Sequence, residues 1–179
     1  MKSKRFFSIS DLRKILKDLL IPNEQHDQVE DIRLEELLQK GYDTLLLDVD
    51  NTLLAYHQRN LSLQKAHWLD VVKSMGFTVY FISNNSSRDR IGRVSDTAKI
   101  PALFFALKPF PWALNEFAKI HYIDYRRTAI IGDQILTDVL LGNWLKIHTI
   151  LIKPCGPLSM IKDIQHTIEK NILKELQKH

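Results

Sequence analysis

Short apolar runs alternate with longer segments of helical periodicity along residues 44–152. Each run consists mostly of β-branched, aromatic or Leu residues, which is typical of strands buried on both faces of a parallel sheet. The predicted strands are residues 44–48, 78–82, 102–106, 128–131 and 147–152. The predicted helices between them are residues 62–75, 88–99, 111–122 and 137–145. Because helices connect successive strands, the pattern predicts an α/β fold with three αβα layers and a doubly wound, Rossmann-like parallel sheet.

Three helices are predicted outside this alternating region, and one of them is a short helix marked by Leu34, Leu37 and Leu38 that Gly41 ends. The other two are amphipathic. In residues 9–20, Leu and Ile side chains recur at helical spacing until Pro22 ends the pattern. A second apolar stripe predicts a final helix, and its members are Ile161, Ile164, Ile168, Ile172 and Leu176. A chain of 179 residues has the size of one α/β domain. We therefore expect a single domain overall, with a helical lead-in over residues 1–40 that packs on or flanks the core of residues 41–179.

The net charge of +4 is concentrated at the N-terminus. Residues 1–20 contain six Lys or Arg residues and two Asp residues, so their excess equals that of the whole chain. The remaining residues are neutral overall, whereas a nucleic-acid-binding protein usually has a basic folded face. Nucleic acid is therefore not an expected partner. The basic helix of residues 2–20 can dock on its own domain or lie on anionic lipid, and the sequence leaves both alternatives open.

The sequence predicts a cytoplasmic protein. No apolar run approaches the roughly 18 residues that a membrane-spanning helix needs, and the charged N-terminus does not resemble a secretory signal. Cys155 is the only cysteine, so the chain can form neither an internal disulfide nor a cysteine-based zinc site, and a reducing compartment suits it. Peripheral membrane contact through the N-terminal helix is compatible with that location.

Polar and charged residues follow the predicted strands. In an open α/β sheet, ligands bind at the carboxyl ends of the strands, so these residues are the candidates for a site. They are Asp48, Asp50, Thr52, Ser83, Asn84, Lys108, Asp133 and Asp138. Asp48 and Asp50 would point to opposite faces of a continuing strand, but a chain that leaves the strand at Val49 brings both carboxyls to one pocket.

The carboxylates of this set suit phosphoryl transfer. Of two neighbouring carboxylates, one can attack phosphorus while the other protonates the leaving oxygen and later takes a proton from water. A phosphate dianion repels an attacking carboxylate, so a divalent cation and fixed donors must offset the charge. Asp133, with Asp138 in its outer shell, offers the hard oxygen ligands that Mg²⁺ prefers.

Donors for the phosphate oxygens follow the second and third predicted strands. Ser83, Asn84 and Lys108 are expected to bind the phosphate of the substrate, although Asn84 is also a common turn residue. Thr52 is expected to bond to Asp50 and orient it, and the alternative is a hydroxyl that only stabilises the turn.

These residues, in this order, resemble the four sequence motifs of the haloacid dehalogenase (HAD) superfamily of phosphatases. The matching segments are Asp48-x-Asp-x-Thr52, Ser83, Lys108 and Gly132-Asp133-x4-Asp138. The resemblance implies that Asp48 is the nucleophile and Asp50 the acid and base. It also implies that Mg²⁺ is bound by Asp48, the backbone carbonyl of Asp50 and Asp133. The run Asp48-Val-Asp-Asn-Thr-Leu-Leu and residues 132–143 are similar to YqeG-type subclass IIIA phosphatases, which are related to the mitochondrial phosphatidylglycerophosphate phosphatase.

The residues after Lys108 are apolar, in the order Pro-Phe-Pro-Trp-Ala. YqeG-type phosphatases tend to have basic residues here, so the chain departs from the family pattern at this point. Two interpretations are open. Either Pro111 begins a helix with Trp112 packed beneath it, or Phe110 and Trp112 form an apolar rim that suits an acyl or membrane-adjacent substrate.

The spacing between the motifs leaves no room for a cap domain. The intervals from Asp50 to Ser83 and from Ser83 to Lys108 are each filled by one predicted helix and one predicted strand. We therefore expect a cap-less, open pocket and an Mg²⁺-dependent phosphohydrolase that cleaves a phosphate monoester through an aspartyl-phosphate. The phosphorylated substrate can be a lipid such as phosphatidylglycerophosphate, a macromolecule, a nucleotide or a sugar phosphate. The alternative function is a phosphate-sensing or partner-binding protein with little or no catalysis. The sequence does not indicate an oligomeric state.

Overall fold

The structure, a computed structural model, describes residues 8–55, 58–85, 88–156 and 160–177. Its strands are β1 (Glu24–His26), β2 (Thr44–Asp48), β3 (Thr78–Ile82), β4 (Ala102–Leu103), β5 (Thr128–Gly132) and β6 (His148–Ile152). Its helices are α1 (Ile9–Leu20), α2 (Leu34–Gln39), α3 (Leu63–Ser74), α4 (Arg88–Ala98), α5 (Trp112–His121), α6 (Leu140–Leu145) and α7 (Met160–Gln177). One turn of π-helix, Ile135–Val139, directly precedes α6.

The six strands form one parallel sheet in the order β1-β6-β5-β2-β3-β4, which confirms the predicted α/β class. From β2 the chain builds outward through β3 and β4, and it then adds β5 and β6 on the other side of β2. The direction of winding therefore reverses between β2 and β5, and a crevice opens there at the carboxyl ends of the strands. Asp48 ends β2 and Asp133 follows β5, so both residues lie at this crevice.

Apolar side chains of the central strand β2 pack on both faces of the sheet. Leu45 and Leu47 belong to a buried cluster that includes Trp68 of α3. Leu46 belongs to a second buried cluster, which includes Leu114 of α5. Since successive strand residues point to opposite faces, α3 covers one face of the sheet and α5 covers the other. This is the three-layer arrangement that the alternation of strands and helices predicts.

Strand β4 is shorter than predicted. It contains two residues, Ala102–Leu103, instead of residues 102–106. Directly after it, Phe105 (φ 50°) and Leu107 (φ 56°) adopt left-handed backbone conformations, which cannot continue a strand. The chain therefore reaches Lys108 as a loop, so strand pairing does not determine the position of this lysine.

Strand β1 is not predicted from the sequence. Its residues pair in parallel with β6 at the edge of the sheet. Glu24 accepts a hydrogen bond from Lys40 (2.9 Å) and its carboxylate lies 3.0 Å from the ring of His148. Polar residues of this kind lack the apolar alternation that marks a strand. The lead-in thus contributes to the same sheet as the rest of the chain, and the division at residue 40 stays a prediction.

Helix α1 has the predicted bounds, but its apolar stripe is covered over only part of its length. Leu20 packs with Leu173 of α7 in a third buried cluster. Leu12, Ile15 and Leu16 are 56%, 41% and 39% exposed among the described residues. The basic residues 1–7 lie outside the described residues. Of the helices that the structure describes, none combines the length and the hydropathy needed to cross a membrane.

The two intervals between the motifs have the predicted contents. Between Asp50 and Ser83 the described residues form a loop, α3 and β3. Between Ser83 and Lys108 they form α4 and β4. Within the described ranges, neither interval contributes a cap domain over the crevice.

Gly142 allows α6 to lie directly on the sheet, and replacing this glycine tests that close packing. A Cβ atom at this position would overlap the side chains of Thr149 and Ile130. We expect Gly142→Ala to lower the free energy of unfolding by about 2 kcal/mol, because a packed core relaxes poorly around an extra methyl group. Urea unfolding followed by circular dichroism measures the change. The matched control is Gly92→Ala in α4, where a Cβ would meet nothing within 4 Å and where removing a helical Gly should stabilise by about 0.5–1 kcal/mol. Equal stability of the two variants would contradict the packing argument.

Candidate active site

Six of the eight predicted site residues meet in one cavity at the carboxyl edge of the sheet, whereas Thr52 and Asp133 are not among the residues that line it. The volume of the cavity is about 260 Å³. The residues that line it are Asp48, Asp50, Ser83, Asn84, Asn85, Lys108, Gln134, Thr137 and Asp138. The register of β2 and β3 places Asp48 opposite Ile82, so Asp48 and Ser83, which follows Ile82, lie at the same end of the sheet. The cavity is large enough for a phosphate group but too small for the whole of a bulky ester.

Lys108 lies between two carboxylates at the base of the cavity. Its Nζ donates hydrogen bonds to Asp48 Oδ1 and to Asp138 Oδ1, both at 2.6 Å, and a longer one to the carbonyl of Ile82 at 3.3 Å. Burial alone would lower the pKa of this lysine, but the charges of Asp138 and Asp48 outweigh that effect and raise it. The ammonium group therefore stays charged, and it offsets part of the negative charge around it.

Three buried carboxylates form a candidate metal centre. One oxygen from each of Asp48, Asp133 and Asp138 lies within 4.8 Å of the others. Burial raises the pKa of Asp48, the charges of Asp138 and Asp133 raise it further, and Lys108 opposes them. One ammonium cannot neutralise three carboxylates, so the cluster fits a divalent cation bound by hard oxygen ligands. The structure brings Asp138 as close to this centre as Asp133, whereas the sequence analysis places it in an outer shell.

The turn after β5 determines the position of Asp138. The backbone N–H of Gln134 and the hydroxyl of Thr137 each donate to Asp138 Oδ2, both at 3.2 Å. A Cβ atom on Gly132 would overlap the Asp138 carboxyl, so this glycine is required for the close approach of the side chain to the backbone. The predicted helix of residues 137–145 accordingly begins as the π-helical turn at Ile135–Val139 and becomes α-helical only at Leu140.

A tight turn after β2 brings Asp50 to the same cavity as Asp48. Asn51 adopts a left-handed conformation (φ 65°), and the N–H groups of Leu53 and Leu54 both donate to the carbonyl of Val49 at 3.0 Å. Asn tolerates this conformation better than most residues. The chain thus leaves the strand directly after Asp48, as the sequence analysis expects.

The Asp50 carboxylate has partners different from those of Asp48. Ser83 Oγ donates to Asp50 Oδ2 at 3.1 Å, and Arg90 Nη1 lies 2.6 Å from Asp50 Oδ1. The sequence analysis expects the Thr52 hydroxyl to bond to Asp50. In the structure this hydroxyl donates instead to Asp133 Oδ1, at a distance of 3.5 Å. Thr52 therefore lies beside the candidate metal centre, and Ser83 and Arg90 hold the second carboxylate.

The Asn84 side chain contacts the protein backbone. Its Oδ1 accepts from the backbone N–H of Lys108 at 2.7 Å, and its Nδ2 donates to the backbone carbonyl of Lys108 at 2.9 Å. This reciprocal pair holds the loop that supplies Lys108. The role in phosphate binding predicted for Asn84 stays a prediction, and the structure shows a positioning contact.

Several side chains at the site are absent from the sequence analysis, among them Asn85, Gln134 and Thr137 of the cavity lining and three ionisable residues. Arg90 contacts Asp50, and His166 of α7 lies 3.2 Å from Asp133 Oδ2. The carboxylate of Glu169, also in α7, accepts from the backbone N–H groups of Ile135 and Leu136, both at 3.2 Å. The motif spacing that identifies the other residues ends at position 138, so it gives no signal for α7.

The inward face of α7 differs from the predicted apolar stripe. Ile164 and Ile168, two members of that stripe, are 57% and 51% exposed. Glu169 is instead 1% exposed, and Leu173 and Leu176 are buried with it. The predicted stripe is therefore wrong for Ile164 and Ile168, whereas Leu176 is buried as predicted and Ile172 packs partly buried against the same cluster.

The residues after Lys108 form an exposed apolar rim. Phe110 and Trp112 stack with their ring centroids 5.0 Å apart, and they are 47% and 64% exposed. Phe105 and Leu107 in the same loop are 57% and 40% exposed. Helix α5 follows Pro111 as one interpretation expects, but the packed position for Trp112 is wrong because this side chain is exposed. A role of Phe110 and Trp112 in substrate binding stays a prediction.

Comparison with known proteins agrees with this geometry. The profile of a family described as HAD-hydrolase-like matches residues 106–154, which include Lys108, Asp133 and Asp138. The chain is 31% identical over 165 residues to the protein named "Probable phosphatase YqeG" from Bacillus subtilis (strain 168), an alignment that covers 92% of this chain and 95% of that protein. This chain belongs to the YqeG family of HAD-type phosphatases. As a HAD-type phosphatase, it is an enzyme that acts on a phosphorylated substrate.

Solved structures share the fold of this YqeG-family chain. A hypothetical protein from Xanthomonas campestris superposes with a TM-score of 0.52 at 13% identity, covering 85% of this chain and 92% of that one. An uncharacterized protein from Listeria monocytogenes serotype 4b gives a TM-score of 0.50 at 17% identity, covering 74% and 98%. At such identities the likeness concerns the α/β sheet and its flanking helices.

Glu169 offers a test of how α7 supports the site of this YqeG-family enzyme. We expect Glu169→Ala to lower the free energy of unfolding by about 1–3 kcal/mol, because two buried N–H groups would lose their acceptors. Glu169→Gln retains a carbonyl oxygen and should lose less. Urea unfolding of both variants measures the difference. If Glu169→Ala were as stable as the wild type, the contact between α7 and the metal-binding turn would have no energetic role.

Proposed function

We propose that this phosphatase hydrolyses a phosphate monoester in an Mg²⁺-dependent reaction through an aspartyl-phosphate on Asp48. The observation that supports the proposal best is the pair of carboxylates in one cavity with different surroundings. Asp48 lies in the acidic cluster beside Lys108, and Asp50 lies outside that cluster with Ser83 and Arg90. Two carboxylates with different partners can perform two different steps.

The residues present suit a divalent cation. Asp48, Asp133 and Asp138 offer buried carboxylate oxygens within 4.8 Å of one another, and the family resemblance adds the backbone carbonyl of Asp50. When bound there, Mg²⁺ would offset the negative charge of the carboxylates and of the substrate phosphate. Lys108 adds a fixed positive charge at the side of the cavity opposite the solvent.

In the proposed first step, a carboxylate oxygen of Asp48 attacks phosphorus. The new O–P bond forms as the bond from phosphorus to the leaving oxygen breaks, and Asp50 gives its proton to that oxygen. In the second step Asp50 takes a proton from water, the water oxygen attacks phosphorus, and the bond from Asp48 to phosphorus breaks. Inorganic phosphate leaves, and both carboxyls return to their starting states.

Ser83 would hold a phosphate oxygen in this mechanism. Its side chain is almost fully buried, and its hydroxyl oxygen accepts the backbone N–H of Asn85 at 3.0 Å. The hydroxyl lies at the wall of the cavity, where it donates its single proton to Asp50. When substrate binds, the hydroxyl would turn from Asp50 to a phosphate oxygen and offset part of its charge.

Replacing the proposed nucleophile tests this function. We expect Asp48→Asn to lower phosphate release from p-nitrophenyl phosphate by at least ~100-fold, because an amide cannot form the acyl phosphate. Release by the wild type should require Mg²⁺ and should stop when EDTA is added. Asp70→Asn, in the exposed face of α3, is the matched control and should retain wild-type rates.

Three outcomes of the same assay would contradict the proposal. Retained turnover in a folded Asp48→Asn protein would remove Asp48 from the nucleophile role. Full activity in EDTA would remove the metal requirement. If the folded wild type released no phosphate from any ester tested, the alternative of a phosphate-sensing protein would be favoured.

We further propose that the substrate is a lipid phosphate of the phosphatidylglycerophosphate type. The family resemblance suggests this lipid, and the exposed rim of Phe105, Leu107, Phe110 and Trp112 supports it. The rim residues lie within four positions of Lys108 in the chain, and in this proposal the apolar substituent of a bound phosphate ester extends toward them. Nucleotides and sugar phosphates have no long apolar chain that would make use of such a rim.

Peripheral membrane contact through α1 is part of this proposal. Leu12, Ile15 and Leu16 are exposed on the same helix as Lys14 and Lys17. An apolar stripe flanked by lysines is typical of helices that lie in the interface of an anionic bilayer. Sedimentation of the protein with vesicles of anionic lipid, compared with vesicles of neutral lipid, measures this contact.

Replacing the aromatic rim tests the substrate class. We expect the double variant Phe110→Ser, Trp112→Ser to raise KM for phosphatidylglycerophosphate by about 10-fold, which corresponds to about 1.4 kcal/mol of lost apolar contact. Its kinetic constants for p-nitrophenyl phosphate should be unchanged. Tyr122→Asn, at an aromatic residue that is 93% exposed at the far end of α5, is the control. An equal KM for the lipid in all three proteins would contradict a lipid-binding rim.

A further inference from the structure

Arg90, in the first turn of α4, joins the second carboxylate of the site to the loop that follows it. Its Nη1 lies 2.6 Å from Asp50 Oδ1. Its Nη2 donates to the carbonyl of Ala55 at 2.8 Å and more weakly to that of Leu54 at 3.4 Å, and its Nε donates to the carbonyl of Gln58 at 3.2 Å. All three nitrogens of the guanidinium therefore have partners, and its side chain is only 14% exposed.

The Asp50 carboxylate is consequently held from two sides. Ser83 donates to one oxygen, and Arg90 pairs with the other. The contact of Arg90 with Asp50 Oδ1 is an ion pair that lacks hydrogen-bond alignment in this structure, so the guanidinium restrains the carboxylate by its charge and proximity. Among the described residues, Arg90 is the cation paired with Asp50, whereas Lys108 is shared by Asp48 and Asp138.

We propose that Arg90 is a positioning residue for the acid step: it aims the Asp50 carboxyl at the leaving oxygen and stabilises the carboxylate that remains when the proton has left. The proposal rests on the proposed function, in which Asp50 is the acid and then the base. In the first step the proton passes from Asp50 to the leaving oxygen, and the guanidinium lies beside the negative charge that forms. In the second step Asp50 takes a proton from water, and its neutral carboxyl then no longer forms an ion pair with Arg90.

A second cationic residue of α4 shows what an ordinary surface arginine does there. Arg93 pairs with Asp89 one turn away at 2.9 Å, and its side chain is 56% exposed. Arg90 is more deeply buried and bonds to three carbonyls outside its own helix. Arg93 is therefore a matched control on the same element.

The leaving group of the substrate provides a readout for this role. p-Nitrophenolate is a stable anion and needs little protonation, whereas the alkoxide of glycerol 2-phosphate must be protonated as it leaves. We expect Arg90→Gln to lower kcat for glycerol 2-phosphate by ~30-fold or more and kcat for p-nitrophenyl phosphate by less than ~5-fold, with KM for both little changed. Arg90→Lys should recover part of the loss because it restores the charge, and Arg93→Gln should behave as the wild type.

A double-mutant cycle separates failure of this inference from failure of the proposed function. Asp50→Asn alone should show the same selective loss on the alkyl ester in kcat/KM, which reports the step that releases the alcohol and not the later hydrolysis common to both esters. An absence of that loss would contradict the acid role of Asp50 itself. If that loss is present, adding Arg90→Gln to Asp50→Asn should change kcat/KM little, because Arg90 acts through Asp50. If Arg90→Gln slowed the Asp50→Asn variant by the same factor as it slows the wild type, the positioning role would be overturned.

Two other outcomes would also overturn the inference. An equal loss of kcat on both esters would indicate that Arg90 only supports the fold of the loop. A raised KM with unchanged kcat would indicate that it contacts the substrate. Urea unfolding of each variant shows whether it is folded, and Arg90→Lys supplies the comparison if Arg90→Gln is not.

Discussion

The buried ammonium of Lys108 is the interaction on which the rest of the site depends. The side chains of Lys108, Asp48 and Asp138 are only 2%, 8% and 3% exposed, and the lysine contacts both acids at 2.6 Å. Without this cation, the mutual repulsion of the carboxylates and their loss of hydration would oppose the close packing of the turn after β5 against β2. Since Lys108 belongs to a loop, the reciprocal hydrogen bonds from Asn84 to its backbone hold the charge in place.

Elements that contribute no motif residue also hold the carboxyl edge of the sheet. Glu169 of α7 satisfies two backbone N–H groups of the turn that carries Asp138, and His166 contacts Asp133. Arg90 of α4 performs the corresponding task for the loop after Asp50. Each of these side chains is ionisable and buried or nearly so, which is costly unless its partners are fixed. Rigid partners are what a site needs when it must hold several like charges in one geometry.

The sequence predicts the central part of the fold well because the apolar periodicity of β2, β3, β5 and β6 reflects burial on both faces of the sheet. It does not predict β1, because the residues of Glu24–His26 are polar and pair only at the edge. It predicts the burial of Leu176 in α7 but not the exposure of Ile164 and Ile168, because apolar periodicity does not indicate that Glu169 is buried through hydrogen bonds to the turn after β5. Spacing identifies acids that follow strands, but it cannot identify Arg90, whose relation to Asp50 arises only when α4 folds back over the loop.

The same physical arrangement separates the two acids that the proposed chemistry needs. Asp48 and Asp50 are two residues apart, and in water their carboxyls would behave alike. In the fold, Asp48 is buried among carboxylates and one ammonium, whereas Asp50 lies outside the cluster between a hydroxyl and a guanidinium. The turn at Asn51 produces this separation, since it directs one side chain to the metal-binding cluster and the other toward α4. Two chemically identical groups can therefore take different roles because Lys108 and Arg90 provide them with separate cations.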